Sequence, residues 1–176
     1  MRLFIALDLP DTARDALEEL QRKLPGGRPV DWENLHLTLS FLGDQPEDTL
    51  EALHDNMTTL RNPAISLTLS NPSLFGGKHG QAVALDADGG PDLVQLHDKT
   101  RTRVHGTGMA TERRRFRPHV TLARLSGRAD PGPLLQTISG ARLGPYLCQS
   151  VTLYASILSE SGVIYDPLAS YPLTLI

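Results

Sequence analysis

The segment Leu35-His36-Leu37-Thr38-Leu39 has a counterpart about half the chain further on, Pro118-His119-Val120-Thr121-Leu122. Both alternate apolar and polar residues, the period of a strand with one face in a core. On that period His36 and Thr38 point one way, and Leu35, Leu37, Leu39 and Phe41 the other. His119 and Thr121 share a face opposite Val120 and Leu122, and Arg115 and Arg117 fall on the His119 face. One His/Thr pair on a strand is an ordinary structural feature. The same tetrapeptide pattern twice, at half-chain spacing, predicts two similar lobes. Each lobe gives aliphatic side chains to a core and one His/Thr pair to a shared cleft.

The flanking pattern supports interleaved strands and helices. Leu35 to Leu42 reads as a strand closed by Gly43-Asp44. Before it, Leu3 to Leu7 is a short apolar run halted by Asp8-Leu9-Pro10, a mostly buried strand. Ala13, Ala16, Leu17, Leu20 and Leu24 then recur at helical steps between Asp11, an expected N-cap, and the stop Pro25-Gly26-Gly27. Pro46 to Leu60 predicts a second helix, Ile65 to Ser70 a half-exposed strand, and Asn71 to Gly80 a loop. Gln81 to Asp86 predicts a strand, Asp92 to about His105 a third helix, and Arg117 to Leu125 the second motif strand. Pro133 to Ser139 reads as a short helix; Val151 to Leu158 and Leu173 to Ile176 read as the last strands. No linker or low-complexity tract divides the chain, so residues 1–176 are expected to form one bilobal α+β domain.

The chain has 176 residues, 40% apolar and 21% charged, as folded globular proteins do, and a net charge of -3. Its one cysteine, Cys148, excludes an internal disulfide and a multi-cysteine zinc site, and reads as a small buried hydrophobe. Met1 to Asp8 turns acidic too soon for a signal peptide, and no apolar run reaches the roughly 18 residues of a membrane span. A cytoplasmic protein without a membrane partner is the expectation. The net charge conceals a division. Between Lys99 and Arg128 nine basic residues stand against one acid, Glu112, and the remainder is acidic. The chain is therefore no coater of long nucleic acid, but a basic cluster beside the second histidine suits phosphate binding.

Two imidazoles facing one cleft can act as acid and base near neutral pH, and two threonine hydroxyls can donate to phosphoryl oxygens. The motifs supply one metal ligand each, with no HxH or HExxH nearby, and no GxSxG turn points to a nucleophilic serine. Phe41, Phe75 and Phe116 are candidates to stack a base, although strand parity puts Phe41 on the core side. His79 lies in a Gly-rich segment within reach of the cleft. His54, His97 and His105 read as surface residues.

These residues resemble the 2H phosphoesterase superfamily and, within it, the bacterial and archaeal RNA 2′,3′-cyclic phosphodiesterases, also called 2′-5′ RNA ligases. The resemblance rests on Arg2 to Leu7, on Trp32 to Gly43, on Arg115 to Arg124 and on the stretch from Leu158 through Gly162, Tyr165 and Pro172-Leu173. It departs between Phe75 and Leu85, where a tryptophan of the family is replaced by alanine. The resemblance implies two pseudo-symmetric lobes, each an antiparallel sheet flanked by helices, around a central cleft. It implies hydrolysis of RNA 2′,3′-cyclic phosphate ends to 2′-phosphomonoesters with no metal or other cofactor, and in some members 2′-5′ ligation. His36 matches the proton donor and His119 the proton acceptor, with Thr38 and Thr121 on the nonbridging oxygens. Arg117, Arg115, Phe41 and Phe75 are the expected substrate-binding residues. The expected partner is RNA with a 2′,3′-cyclic phosphate end, and the expected state is a monomer. A small-molecule cyclic phosphodiesterase and a non-catalytic RNA-binding module are the alternatives.

Overall fold

A computed structural model of the chain describes residues 1–174. The elements in chain order are β1 (Arg2–Leu7), α1 (Asp11–Gln21), β2 (Arg28–Pro29), β3 (Leu37–Asp44), α2 (Leu50–Met57), β4 (Ile65–Gly77) and β5 (Gly80–Asp88). They continue with α3 (Gly90–His105), β6 (His119–Leu125), α4 (Gly132–Thr137), β7 (Arg142–Cys148), β8 (Ser150–Ser159) and β9 (Gly162–Pro172). The strands form two antiparallel sheets, in the orders β3-β1-β8-β9 and β2-β6-β5-β4-β7. Without β2 the two orders correspond position by position, and the motif strands β3 and β6 occupy matching places. This is the expected α+β architecture of two pseudo-symmetric lobes.

The lobes are not the two halves of the chain. β4, from the first half, joins the sheet of β5 and β6, and β8 and β9 return to the sheet of β1 and β3. The helices cross as well. α1 follows β1 but packs against β6 and β7, and α3 follows β5 but packs against β3, β4 and α2. Leu3, Ile5, Leu37, Leu69, Leu85 and Leu122 therefore belong to one continuous core built from both sheets. Among the described residues no helix is long and apolar enough to cross a membrane.

One irregularity occurs at the same place in both motifs. Ala6 pairs with Thr38 but Ile5 with Ser40, and Ala84 pairs with Thr121 but Val83 with Ala123. The residue passed over is the motif leucine, Leu39 or Leu122, and both are buried. A bulge of one residue resets the alternation of faces. Phe41 consequently stands opposite Phe4, and Arg124 opposite Ala82, both on the cleft side. The strand parity that places Phe41 in the core is corrected by this bulge, and Phe41 is exposed.

Other differences have local causes. Pro10 precedes α1 and Asp11 is its first residue, where its charge favours the helix N-terminus without capping it. Asn71 to Gly77 continues β4 instead of forming a loop. Asn71 takes φ 62 at a register shift, and from Pro72 onward the strand pairs with β5 alone, so the missing proline N–H breaks no ladder. β7 and β9 carry Gly144-Pro145 and Pro167, turn signals that mask their strand character. Leu173 is buried and Thr174 bridges to Pro63; the rest of the expected last strand lies outside the described residues. Cys148 is fully buried, and burial pushes its thiol pKa up to about 12.

Leu122 anchors the second bulge in the core. Leu122→Ala is expected to cost about 3 kcal/mol in urea unfolding. Thr121→Ala, one residue away on the cleft side, is expected to cost less than about 1 kcal/mol. Equal losses would contradict the placement of Leu122 in the core and Thr121 on the cleft.

Candidate active site

β3 and β6 pack against each other, and the two motifs line one cleft of about 910 Å³. Each histidine is held in the same way. His36 Nδ1 lies 2.6 Å from the carbonyl oxygen of Asn34, and His119 Nδ1 lies 2.7 Å from that of Arg117. A carbonyl only accepts, so Nδ1 carries the hydrogen in both rings and Nε2 is the site left for proton exchange. His36 Nε2 is 2.8 Å from Thr38 Oγ1. His119 Nε2 has no hydrogen-bond partner among the described residues.

Aromatic rings set the orientation of both imidazoles. Phe4 lies 5.0 Å from the His36 ring, and Tyr165 meets it edge-on at 5.3 Å. In the second sheet the small Ala82 stands where Phe4 stands in the first. There the covering ring comes from the neighbouring strand. Phe75 stacks on His119 with centroids 3.8 Å apart, and the Arg117 guanidinium sits 4.5 Å from the Phe75 centroid.

A carboxylate accompanies each histidine. Asp8 accepts hydrogen bonds from Ser150 Oγ at 2.8 Å, Thr152 Oγ1 at 2.5 Å and Tyr154 Oη at 2.8 Å. Asp86 pairs across the ladder with His119 and accepts from Ser73. Both imidazoles are nevertheless held below the ordinary histidine pKa. Burial is the main cause for each; the backbone carbonyl bonds oppose it. Arg124 lowers both further, and Asp8 and Asp86 partly restore His36 and His119 respectively. Burial thus disfavours the imidazolium form of both rings, and an anion bound in the cleft would favour their protonation.

Thr38, Thr121, Arg115, Arg117, Phe41 and Phe75 all line this cleft with the two histidines. Phe116 lines it too, but its face is taken by His97, stacked at 3.9 Å and 7°. His97 is therefore a half-buried cleft residue and not the surface residue its helix position predicts. His54 is exposed and pairs with Tyr171, and His105 is exposed and bonds Thr111. His79 lines an adjoining cavity instead. The strand and charge patterns do not mark Phe4, Arg28, Tyr165 or Arg124 individually as cleft residues, yet all four line it. Arg124 lies at an odd offset from Thr121, so only the bulge turns it toward the cleft.

Residues 9–155 match the family model of the 2′-5′ RNA ligase superfamily. The RNA 2′,3′-cyclic phosphodiesterase of Escherichia coli K12 is 32% identical over 98% of this chain and 97% of its own length. That of Methanocaldococcus jannaschii is 26% identical over 97% of this chain and 100% of its own. Among solved structures, Escherichia coli LigT complexed with 3′-AMP superimposes with a TM-score of 0.79 at 30% identity, over 98% of each chain. With the family model spanning most of its length and near-complete coverage of these relatives, the chain belongs to the 2′-5′ RNA ligase superfamily, the two-histidine phosphoesterases that its repeated motif resembles.

Proposed function

We propose that the protein hydrolyses RNA 2′,3′-cyclic phosphate ends to 2′-phosphomonoesters by paired histidine acid–base chemistry, without a metal. The observation that carries this reading is the pair of imidazoles tethered alike through Nδ1 on one cleft, each leaving Nε2 to exchange a proton. Curated relatives over nearly the full length are RNA 2′,3′-cyclic phosphodiesterases, which supports the same substrate.

His119, through Nε2, takes a proton from water as the water oxygen bonds to phosphorus. The P–O3′ bond breaks, protonated His36 gives its Nε2 proton to O3′, and the phosphate stays on O2′. Thr38 and Thr121 donate hydrogen bonds to the nonbridging oxygens, and Arg124 supports the charge that develops there. A 5′-hydroxyl in place of water, with the same two proton transfers, gives a 2′-5′ linkage. Arg115 and Arg117, on the cleft wall, favour a polyanionic RNA end over a small neutral-flanked cyclic phosphate.

His36→Ala and His119→Ala are each expected to lower kcat/KM by about 10²–10⁴-fold with unchanged circular dichroism, and EDTA is expected to leave turnover intact. Wild-type activity in either variant, or loss on EDTA treatment restored by a divalent cation, contradicts the mechanism.

The pH dependence follows from the direction of the shifts. One ring must be charged and the other neutral, so kcat/KM is bell-shaped, with apparent pKa values that belong to the pair. Burial and Arg124 hold both rings below 6.5 in the free protein, which places the kcat/KM optimum on the acid side of neutrality. Bound phosphodiester favours the charged rings, so the kcat optimum lies at higher pH. A kcat/KM optimum well above pH 7 would contradict this assignment.

A further inference from the structure

β2 is only two residues long, yet it is fixed from three directions. The side-chain amide of the buried Gln21 donates to the carbonyls of Val30 and Leu122, at 2.8 Å each. The Val30 N–H donates to the same Leu122 carbonyl at 2.9 Å. Gly27 enters at φ +80, where a Cβ would press within 3.1 Å of Leu125 and Leu134 side chains. These ties hold Arg28 directly opposite Arg124 across the β2–β6 ladder.

Like charges directly opposite on a sheet are destabilising. Among the described residues neither guanidinium makes an ion pair or a hydrogen bond, and the two acids of the cleft, Asp31 and Glu112, pair with neither. Both arginines line the reaction cleft, and both also line a second cavity of about 860 Å³ that adjoins it. Phe75 and Ala82 are shared by the two cavities as well, so the arginine pair stands at their junction. Arg124 acts electrostatically on both His36 and His119, which puts it on the side of the reacting phosphate; Arg28 belongs to the strand beyond it.

Resting on the cyclic phosphodiesterase reading, we propose that Arg28 and Arg124 clamp a second phosphate, the one on O5′ of the terminal nucleotide. In RNA this is the internucleotide linkage next to the reacting end. An anion between the two guanidinium groups turns their cross-strand repulsion into two charge-assisted hydrogen-bonded contacts. The clamp makes the protein prefer an RNA end, or a 5′-phosphorylated nucleotide, over a nucleoside cyclic phosphate with a free 5′-hydroxyl.

Direct binding tests the clamp apart from turnover, by titrating adenosine 2′-phosphate and adenosine 2′,5′-bisphosphate calorimetrically. Wild-type protein is expected to bind the bisphosphate about 10-fold more tightly. Arg28→Ala is expected to erase most of that gain and leave the 2′-phosphate affinity within about 2-fold, and Arg28→Lys to recover part of it. The salt slope for the bisphosphate is expected to fall by about 1 in Arg28→Ala. Equal affinities in the wild type, or a parallel loss for both ligands in Arg28→Ala, overturns the clamp. In parallel, adenosine 2′,3′-cyclic phosphate with and without a 5′-phosphate reports KM. Failure of wild-type protein to turn over either compound counts against the phosphodiesterase reading and leaves the binding result to decide the clamp.

Discussion

The ladder that joins β1 to β8 pairs Arg2 through Leu7 with residues 151–156 and so ties the start of the chain to its last third. The sheet that carries His36 cannot close without it. The sheet that carries His119 depends in the same way on β4, which comes from the first half. This exchange also builds the support behind each histidine. Asp8 lies just beyond β1, the strand paired with β3, and its three donors all come from β8. Asp86 lies on β5, the strand paired with β6, and its donor Ser73 comes from β4 together with Phe75, the ring that covers His119. Histidine, carboxylate and hydroxyl donor thus sit on, or one residue beyond, three successive strands in both lobes.

The approximate twofold symmetry stops at the chemistry. His36 is covered by Phe4 and Tyr165 and its Nε2 meets the Thr38 hydroxyl, whereas His119 is stacked on Phe75 and its Nε2 has no hydrogen-bond partner among the described residues. Two rings with identical tethers and different surroundings are suited to different halves of a proton exchange. The bulges break the symmetry again. Matching positions after the motif leucines hold Phe41 in one lobe and Arg124 in the other, which gives the cleft an aromatic side and a cationic side.

Much of this was legible in the sequence because strand period is local. His36, Thr38, His119 and Thr121 fall on the cleft faces that a two-residue alternation assigns them. The strand exchange was not legible, since no local signal tells β4 or β8 which neighbour it will pair with. Phe41 was misplaced, and Arg124 was not assigned to the cleft, because a bulge depends on the partner strand, and a leucine in the bulge looks like any core leucine. β2 was hidden inside Pro25-Gly26-Gly27-Arg28-Pro29, where turn residues dominate. Its existence depends on Gln21, which lies on a helix and shows its partners only after folding.

The central claim is that the two tethered imidazoles face opposite sides of a cyclic phosphate, with O3′ as the leaving group. Its most direct test uses RNA ending in a 2′,3′-cyclic phosphate, incubated with the protein in EDTA, with the product resolved by 31P NMR. A terminal 2′-phosphate with a free 3′-hydroxyl is the predicted product. A 3′-phosphate would reverse the leaving group and contradict the account.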